Sequence, residues 1–205
     1  MSLKLYGPAR SRAFRCIWTL EELEMPFEHV HVDTSKSEHK SDEFLNKNPY
    51  GKVPVLETSD GHYLFESAAI CLFLADLKPE VGLAPAAGSL NRAKMNQWLH
   101  FGLNELDAYL WVIARNEWFY GDKKSQEAID QSKMMLEASL KVLTDHLAEN
   151  NWLIGEDFTV ADIIVGQTLF WATMLEIPLS DTLNAYISKC RDRDHFPNVK
   201  KYLPS

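Results

Sequence analysis

The sequence predicts an α/β domain with a mixed four-stranded sheet, followed by an all-α helical bundle. Three observations carry this. Over the first ~80 residues the apolar spacing alternates between two and 3.6, in the order β-α-β-α-β-β-α. The segment "KPEVGLAPAAGS", Lys78 to Ser89, then gathers Pro, Gly and Ala, as boundaries do. Beyond it the pattern is helical throughout. The expected division is 1–78, a linker at 79–88, and a helical domain at 89–205.

Each element has its own signal. "LKLYG" is a short strand, apolar at Leu3 and Leu5 and closed by Gly7-Pro8. From Ser11, the residues Ala13, Cys16, Ile17, Leu20 and Leu23 repeat at helical spacing, with Arg12, Arg15 and Glu22 elsewhere on the wheel. "FEHVHV", Phe27 to Val32, alternates as a strand. Ser41 to Asn46 reads as a short helix. "VPVL" and "YLF" are two strands joined across Asp60-Gly61, a hairpin signal. Glu66-Ser67 opens a helix with Ala69, Ile70, Phe73, Leu74 and Leu77 on its apolar side.

In the second part, Met95, Trp98, Leu99, Gly102, Leu106, Tyr109, Leu110 and Ile113 share one helical face. Ile129, Leu136, Leu140, Leu143 and Leu147 define another helix. "ADIIVGQTLFWATML" is apolar nearly all round and is predicted to be buried centrally. Thr159 and Asp162 stand at the N-cap and N3 positions of a capping box ahead of it. Leu183, Tyr186, Ile187 and Cys190 mark a further helix, and Pro197 opens a short last one.

Composition narrows the function classes. The net charge of −8 disfavours nucleic acid, which needs a basic stripe. No run reaches the ~18 apolar residues of a membrane span, and "MSLKLYG" lacks the apolar core of a signal peptide. The three cysteines, Cys16, Cys71 and Cys190, are widely spaced and lie in apolar helical patterns, which points away from a disulfide framework or a zinc site. A reducing cytoplasm and no metal are the expectations.

The most unusual stretch is "NPYGKVPVL", Asn48 to Leu56, where Pro54 interrupts an apolar run. Proline cannot donate to a sheet ladder. Together with "FESAAI" and "DFTVADI", this stretch resembles the cytosolic glutathione S-transferase family, in its bacterial, theta- or phi-like serine type. The resemblance runs over essentially the whole chain.

The resemblance implies a thioredoxin-like first domain and a cis Val53-Pro54 step that turns the main chain of Val53 outward to pair with glutathione, as in strand addition. It implies that Glu66 and Ser67, at a helix N-terminus, hold the γ-glutamyl end. It implies that His39 and Lys52 meet the glycine carboxylate. Glutathione is then a co-substrate, and no cofactor is permanently bound. A hydroxyl must favour the thiolate by donating to sulfur. Ser11, four residues before Arg15, and Tyr6, at the end of the first strand, are the two candidates. "YGPARSRAFR" is closer to the serine pattern. With no cysteine in that loop, glutaredoxin-like exchange is disfavoured.

The expected second substrate is a small electrophile with an apolar body, its pocket drawn from Ala9, Arg10, Asn104, Tyr109 and Trp111. A homodimer is implied. Two other readings stand beside the transferase: a non-catalytic module of translation or stress-response type, and a glutathione-dependent peroxidase or reductase.

Overall fold

The computed structural model describes residues 2–202. The chain forms two compact units, the first running to Val81 and taking in the segment from Asp192 onward, the second covering Gly82–Arg191.

In the first unit, β1 (Leu3–Tyr6) is followed by α1 (Ala13–Glu22), β2 (Phe27–Val30), the single-turn α2 (Asp42–Leu45), β3 (Val55–Glu57), β4 (Tyr63–Phe65) and α3 (Ser67–Leu77). The sheet order is β2-β1-β3-β4. β1 runs parallel to β2, with Leu3 opposite Phe27, and antiparallel to β3, with Leu5 opposite Leu56. The β3–β4 hairpin closes at Gly61, whose φ of +87° suits glycine. The expected mixed four-stranded sheet is therefore present.

α1 and α3 pack on each other, with Ile17, Leu20, Ile70 and Leu74 fully buried among them. Two details differ from the sequence reading. Arg15 and Glu22, which the spacing sets off the apolar stripe of α1, are buried as well. On α3 the buried set is Ser67, Ala68, Ile70, Cys71, Leu74 and Ala75, while Ala69 and Leu77 are exposed. Pairing accounts for Glu22: Arg193 grips it with two bonds of 2.8 and 2.7 Å, and Trp18 Nε1 donates to it at 2.9 Å.

Arg193 belongs to the tail, and α9 (Phe196–Lys200) packs on α1. Phe196 sits edge-on to Trp18 with ring centroids 5.1 Å apart. The segment from Asp192 thus folds with the first unit, not with the helical part in which a division at residue 89 places it. Its own buried aromatic and its ion pair with α1 supply the reason.

The second unit contains α4 (Leu90–Phe101), a π-helical stretch (Gly102–Asp107), α5 (Ala108–Trp118), α6 (Gln126–Glu149), α7 (Val160–Met174) and α8 (Asp181–Arg191). α7 is the centre, buried along nearly its whole length. The capping box is formed: Thr159 N–H donates to Asp162 at 2.8 Å. Asp162 also accepts from Leu153 N–H and Tyr186 O–H, each at 2.9 Å. The apolar stripe from Met95 to Ile113 spans a π insertion. There Gly102 lets the chain approach α7, since a Cβ on it would lie 2.8 Å from Val165 Cγ2.

Candidate functional site

In the first unit three pieces of chain meet. β1 ends at Tyr6, and Gly7 turns the chain with φ +138°. A Cβ on Gly7 would stand 3.0 Å from Val53 Cβ and 3.2 Å from Ala13 Cβ. The loop carrying Ala9, Arg10 and Ser11 therefore begins against the Val53 step. The β3–β4 register places Val55 opposite Phe65, so the step that leads into β3 and the head of α3 that follows β4 lie at the same end of the hairpin.

The Val53-Pro54 bond is cis. Pro54 is buried and Val53 half-buried, next to a small core of Val32, Phe44 and Val55. Neither the N–H nor the C=O of Val53 bonds to any described residue. The preceding loop is tied down instead. Asn48, 2% exposed, donates from Nδ2 to Lys52 O at 2.8 Å and accepts from Tyr50 N–H at 3.0 Å. Lys40 Nζ donates to Gly51 O at 2.8 Å and to Tyr50 O at 3.2 Å. Sequence reasoning missed Asn48 and Lys40. Asn is a common turn residue, and a lysine that bonds to backbone ten residues away leaves no pattern.

At the head of α3, Glu66 has φ +70° and ψ 109°, an unusual backbone for a residue with a Cβ, and its side chain is exposed. Such strain costs about 1–3 kcal/mol and collects at functional positions. Ser67 is buried, and its Oγ accepts from Arg15 Nη1 at 3.3 Å. The amides of Ser67, Ala68 and Ala69 donate to no described residue. Together they form a helix N-terminus with free donors and a positive dipole end.

Ser11 Oγ donates to Pro8 O at 2.7 Å and accepts from Ala13 N–H at 3.1 Å. It thus sits at the mouth of α1, its hydroxyl engaged locally. Tyr6 is committed elsewhere. Its phenol donates to the Glu57 carboxylate, and burial followed by that carboxylate raises its pKa well above the ordinary value. A phenol so held is a poor donor to a thiolate.

His39 and Lys52 lie on the loop that leads to Val53. The Nδ1 of His39 is buried without a partner among the described residues. Burial, then the charges of Lys40 and Lys52, lower the pKa of the ring, so the histidine is held neutral. Lys52 is exposed and lies over the Tyr50 ring at 5.0 Å.

The residues expected to line an electrophile pocket divide between the units. Ala9 is buried and Arg10 exposed in the first. In the second, Asn104 is exposed in the π stretch, and Tyr109 donates to Glu105 at 3.4 Å. Trp111 there is half-buried between Phe119 and Trp171, at 6.1 and 6.4 Å. Among the described residues no cluster of three or more metal-ligating side chains occurs, and no helix is long and apolar enough to cross a membrane.

Comparison with known proteins gives consistent matches. Residues 1–76 match the family model "Glutathione S-transferase, N-terminal domain", and residues 108–204 match "Glutathione S-transferase, C-terminal domain". The chain is 34% identical to glutathione S-transferase 1 of Zea mays, covering 90% of this chain and 86% of that protein. It is 35% identical to elongation factor 1-gamma of Prunus avium over 99% of its own length, but spans 45% of that protein, so it is about half the length of this relative. A solved structure of glutathione S-transferase-I bound with lactoylglutathione superposes with a TM-score of 0.80 at 29% identity, covering 99% of this chain and 100% of the other.

Proposed function

Since this chain belongs to the glutathione S-transferase family, we propose that it binds glutathione in its first unit and transfers it to a small electrophile with an apolar body. The observation that carries the proposal is the unused main-chain N–H and C=O of Val53, at the same end of the β3–β4 hairpin as the unused amides of α3. An extended peptide with an anionic end satisfies both.

In this reading Val53 pairs with the main chain of glutathione. Ser67 and the first turn of α3 take the γ-glutamyl carboxylate, and exposed Glu66 takes its ammonium. Lys52 and neutral His39 meet the glycine carboxylate, His39 through its unpartnered Nδ1. Ser11 turns its O–H from Pro8 O to the sulfur and favours the thiolate over the thiol, whose pKa is otherwise about 8.5. The thiolate forms a carbon–sulfur bond at the electrophilic carbon. With an aryl chloride, chloride leaves with the bonding pair. Tyr109 and Trp111 offer an aromatic surface in the second unit for the apolar body. Tyr63 and Phe65, exposed on one side of edge strand β4, with exposed Tyr50, support self-association as a homodimer. A cytoplasmic setting completes the proposal.

The likeness to elongation factor 1-gamma favours a second reading, a glutathione-fold module that binds protein and does not turn over. The local engagement of the Ser11 hydroxyl is compatible with it. One experiment separates the two. The full chain is passed over immobilised glutathione, and the unsubstituted protein and Ser11→Ala are assayed with a chloronitrobenzene. Retention with Ser11-dependent conjugation supports the transferase. Retention without conjugation supports the module, and neither retention nor conjugation refutes the glutathione reading.

A further inference from the structure

Arg15 is a full charge in the middle of an apolar helix. It is 0% exposed, and its guanidinium reaches from α1 to the first turn of α3, where Nη1 donates to Ser67 Oγ at 3.3 Å. Its neighbours hold it in place. Thr19 Oγ1 donates to Arg15 O at 2.9 Å, and Cys16 Sγ lies 3.8 Å from Ser67 O. Cys71, one turn along α3, is fully buried and feels the Arg15 charge, as does Cys16.

The chemistry of this contact is one-directional. A guanidinium has donors and no acceptor, so the Ser67 oxygen must act as acceptor towards it. The hydroxyl keeps one hydrogen, and no described residue accepts it, although Ser67 is only 4% exposed. A buried hydroxyl left without an acceptor is costly. The amides of Ser67, Ala68 and Ala69 beside it are equally unused. All these donors stand at one helix end, with a guanidinium behind them.

We infer that Arg15 is a positioning residue for the γ-glutamyl carboxylate of glutathione: from behind α3 it fixes Ser67 as a donor towards the ligand and adds positive charge to the helix N-terminus. The inference rests on the glutathione reading above. It also explains why an arginine, and not an apolar residue, occupies a site that is otherwise core. Lysine carries the charge but lacks the planar fork that reaches a hydroxyl in a fixed direction.

The test compares two ligands on the full chain by calorimetry: glutathione, and the analogue whose γ-glutamyl residue is replaced by 4-aminobutyrate, which keeps the ammonium and lacks only the α-carboxylate. Arg15→Met is expected to weaken glutathione binding by about 10- to 100-fold, the range for a hydrogen bond to a charged group. Binding of the analogue should stay within about threefold, and Ser67→Ala should show the same selectivity. Combining the two substitutions should cost little more than either alone. If Arg15→Met does not fold, Arg15→Lys carries the comparison, with a smaller loss that still falls on glutathione alone. An equal loss for both ligands, or no loss, overturns the role of Arg15 while leaving the glutathione reading intact. If the unsubstituted protein binds no glutathione, both are overturned.

Discussion

Replacing Gly7 with alanine tests how the fold makes the site. Gly7 has φ +138°, and the added Cβ would sit 3.0 Å from Val53 Cβ and 3.2 Å from Ala13 Cβ. Both partners are Cβ atoms, fixed by their own backbones, so no rotamer change relieves the contact. The backbone conformation costs about 1–3 kcal/mol and the overpacking about 1–3 kcal/mol, together about 2–6 kcal/mol. Gly61→Ala is the control in the same unit, because Gly61 has φ +87° but nothing within 4 Å of the added Cβ. It should lose only the backbone share, about 1–3 kcal/mol. Denaturant unfolding of the two variants gives the difference. The added contact must push Val53 or the Ser11 loop, so Gly7→Ala should also weaken retention on immobilised glutathione, while Gly61→Ala should not. Equal stability of the two variants, with equal retention, would refute the claim that Gly7 holds the loop against Val53.

Other expectations are shorter to state. Asp162→Ala strips partners from Leu153 N–H, Thr159 N–H and Tyr186 O–H, all buried, and should cost about 3–5 kcal/mol in denaturant unfolding. Burial raises the folded pKa of Asp162 despite its hydrogen bonds, so the folded chain binds this proton more tightly than the unfolded chain. The associated stability is complete below the unfolded value of about 3.9 and is lost as pH rises through the folded value. The stability gap between the unsubstituted protein and Asp162→Asn, followed upward from about pH 4, should therefore narrow. Arg193→Ala leaves the Glu22 carboxylate buried with Trp18 as its remaining donor among the described residues, and should lower stability by about 2–4 kcal/mol, read from thermal unfolding. Tyr6→Phe should leave the conjugation rate unchanged, because the phenol is committed to Glu57. Ser11→Ala should lower it by about 100-fold, the scale of losing one hydrogen bond to a developing charge.

Much of this was legible in the sequence, and for physical reasons. Hairpin chemistry at Asp60-Gly61, the capping residues Thr159 and Asp162, and the all-round apolarity of α7 are local rules that tertiary structure left in force. The burial of Arg15 and Glu22 was not legible. On a helical wheel a charge reads as solvated, and only a partner 52 or 171 residues away reverses that. The return of the tail to α1 depends on the same distant pair. The π insertion hid behind an apolar stripe that keeps its face across it. In the site, the peptide step at Val53 and the α3 N-terminus could be read from short motifs. Asn48, Lys40 and the Arg15–Ser67 contact could not, because each works through a bond to a residue that no local pattern specifies.

The most direct test of the account is a calorimetric titration of the full chain with glutathione, run beside Ser67→Ala. The account predicts one glutathione per chain and an affinity about tenfold or more weaker in the variant, as expected for removing a hydrogen bond to a carboxylate. No binding by the unsubstituted chain, or binding indifferent to Ser67, would contradict it.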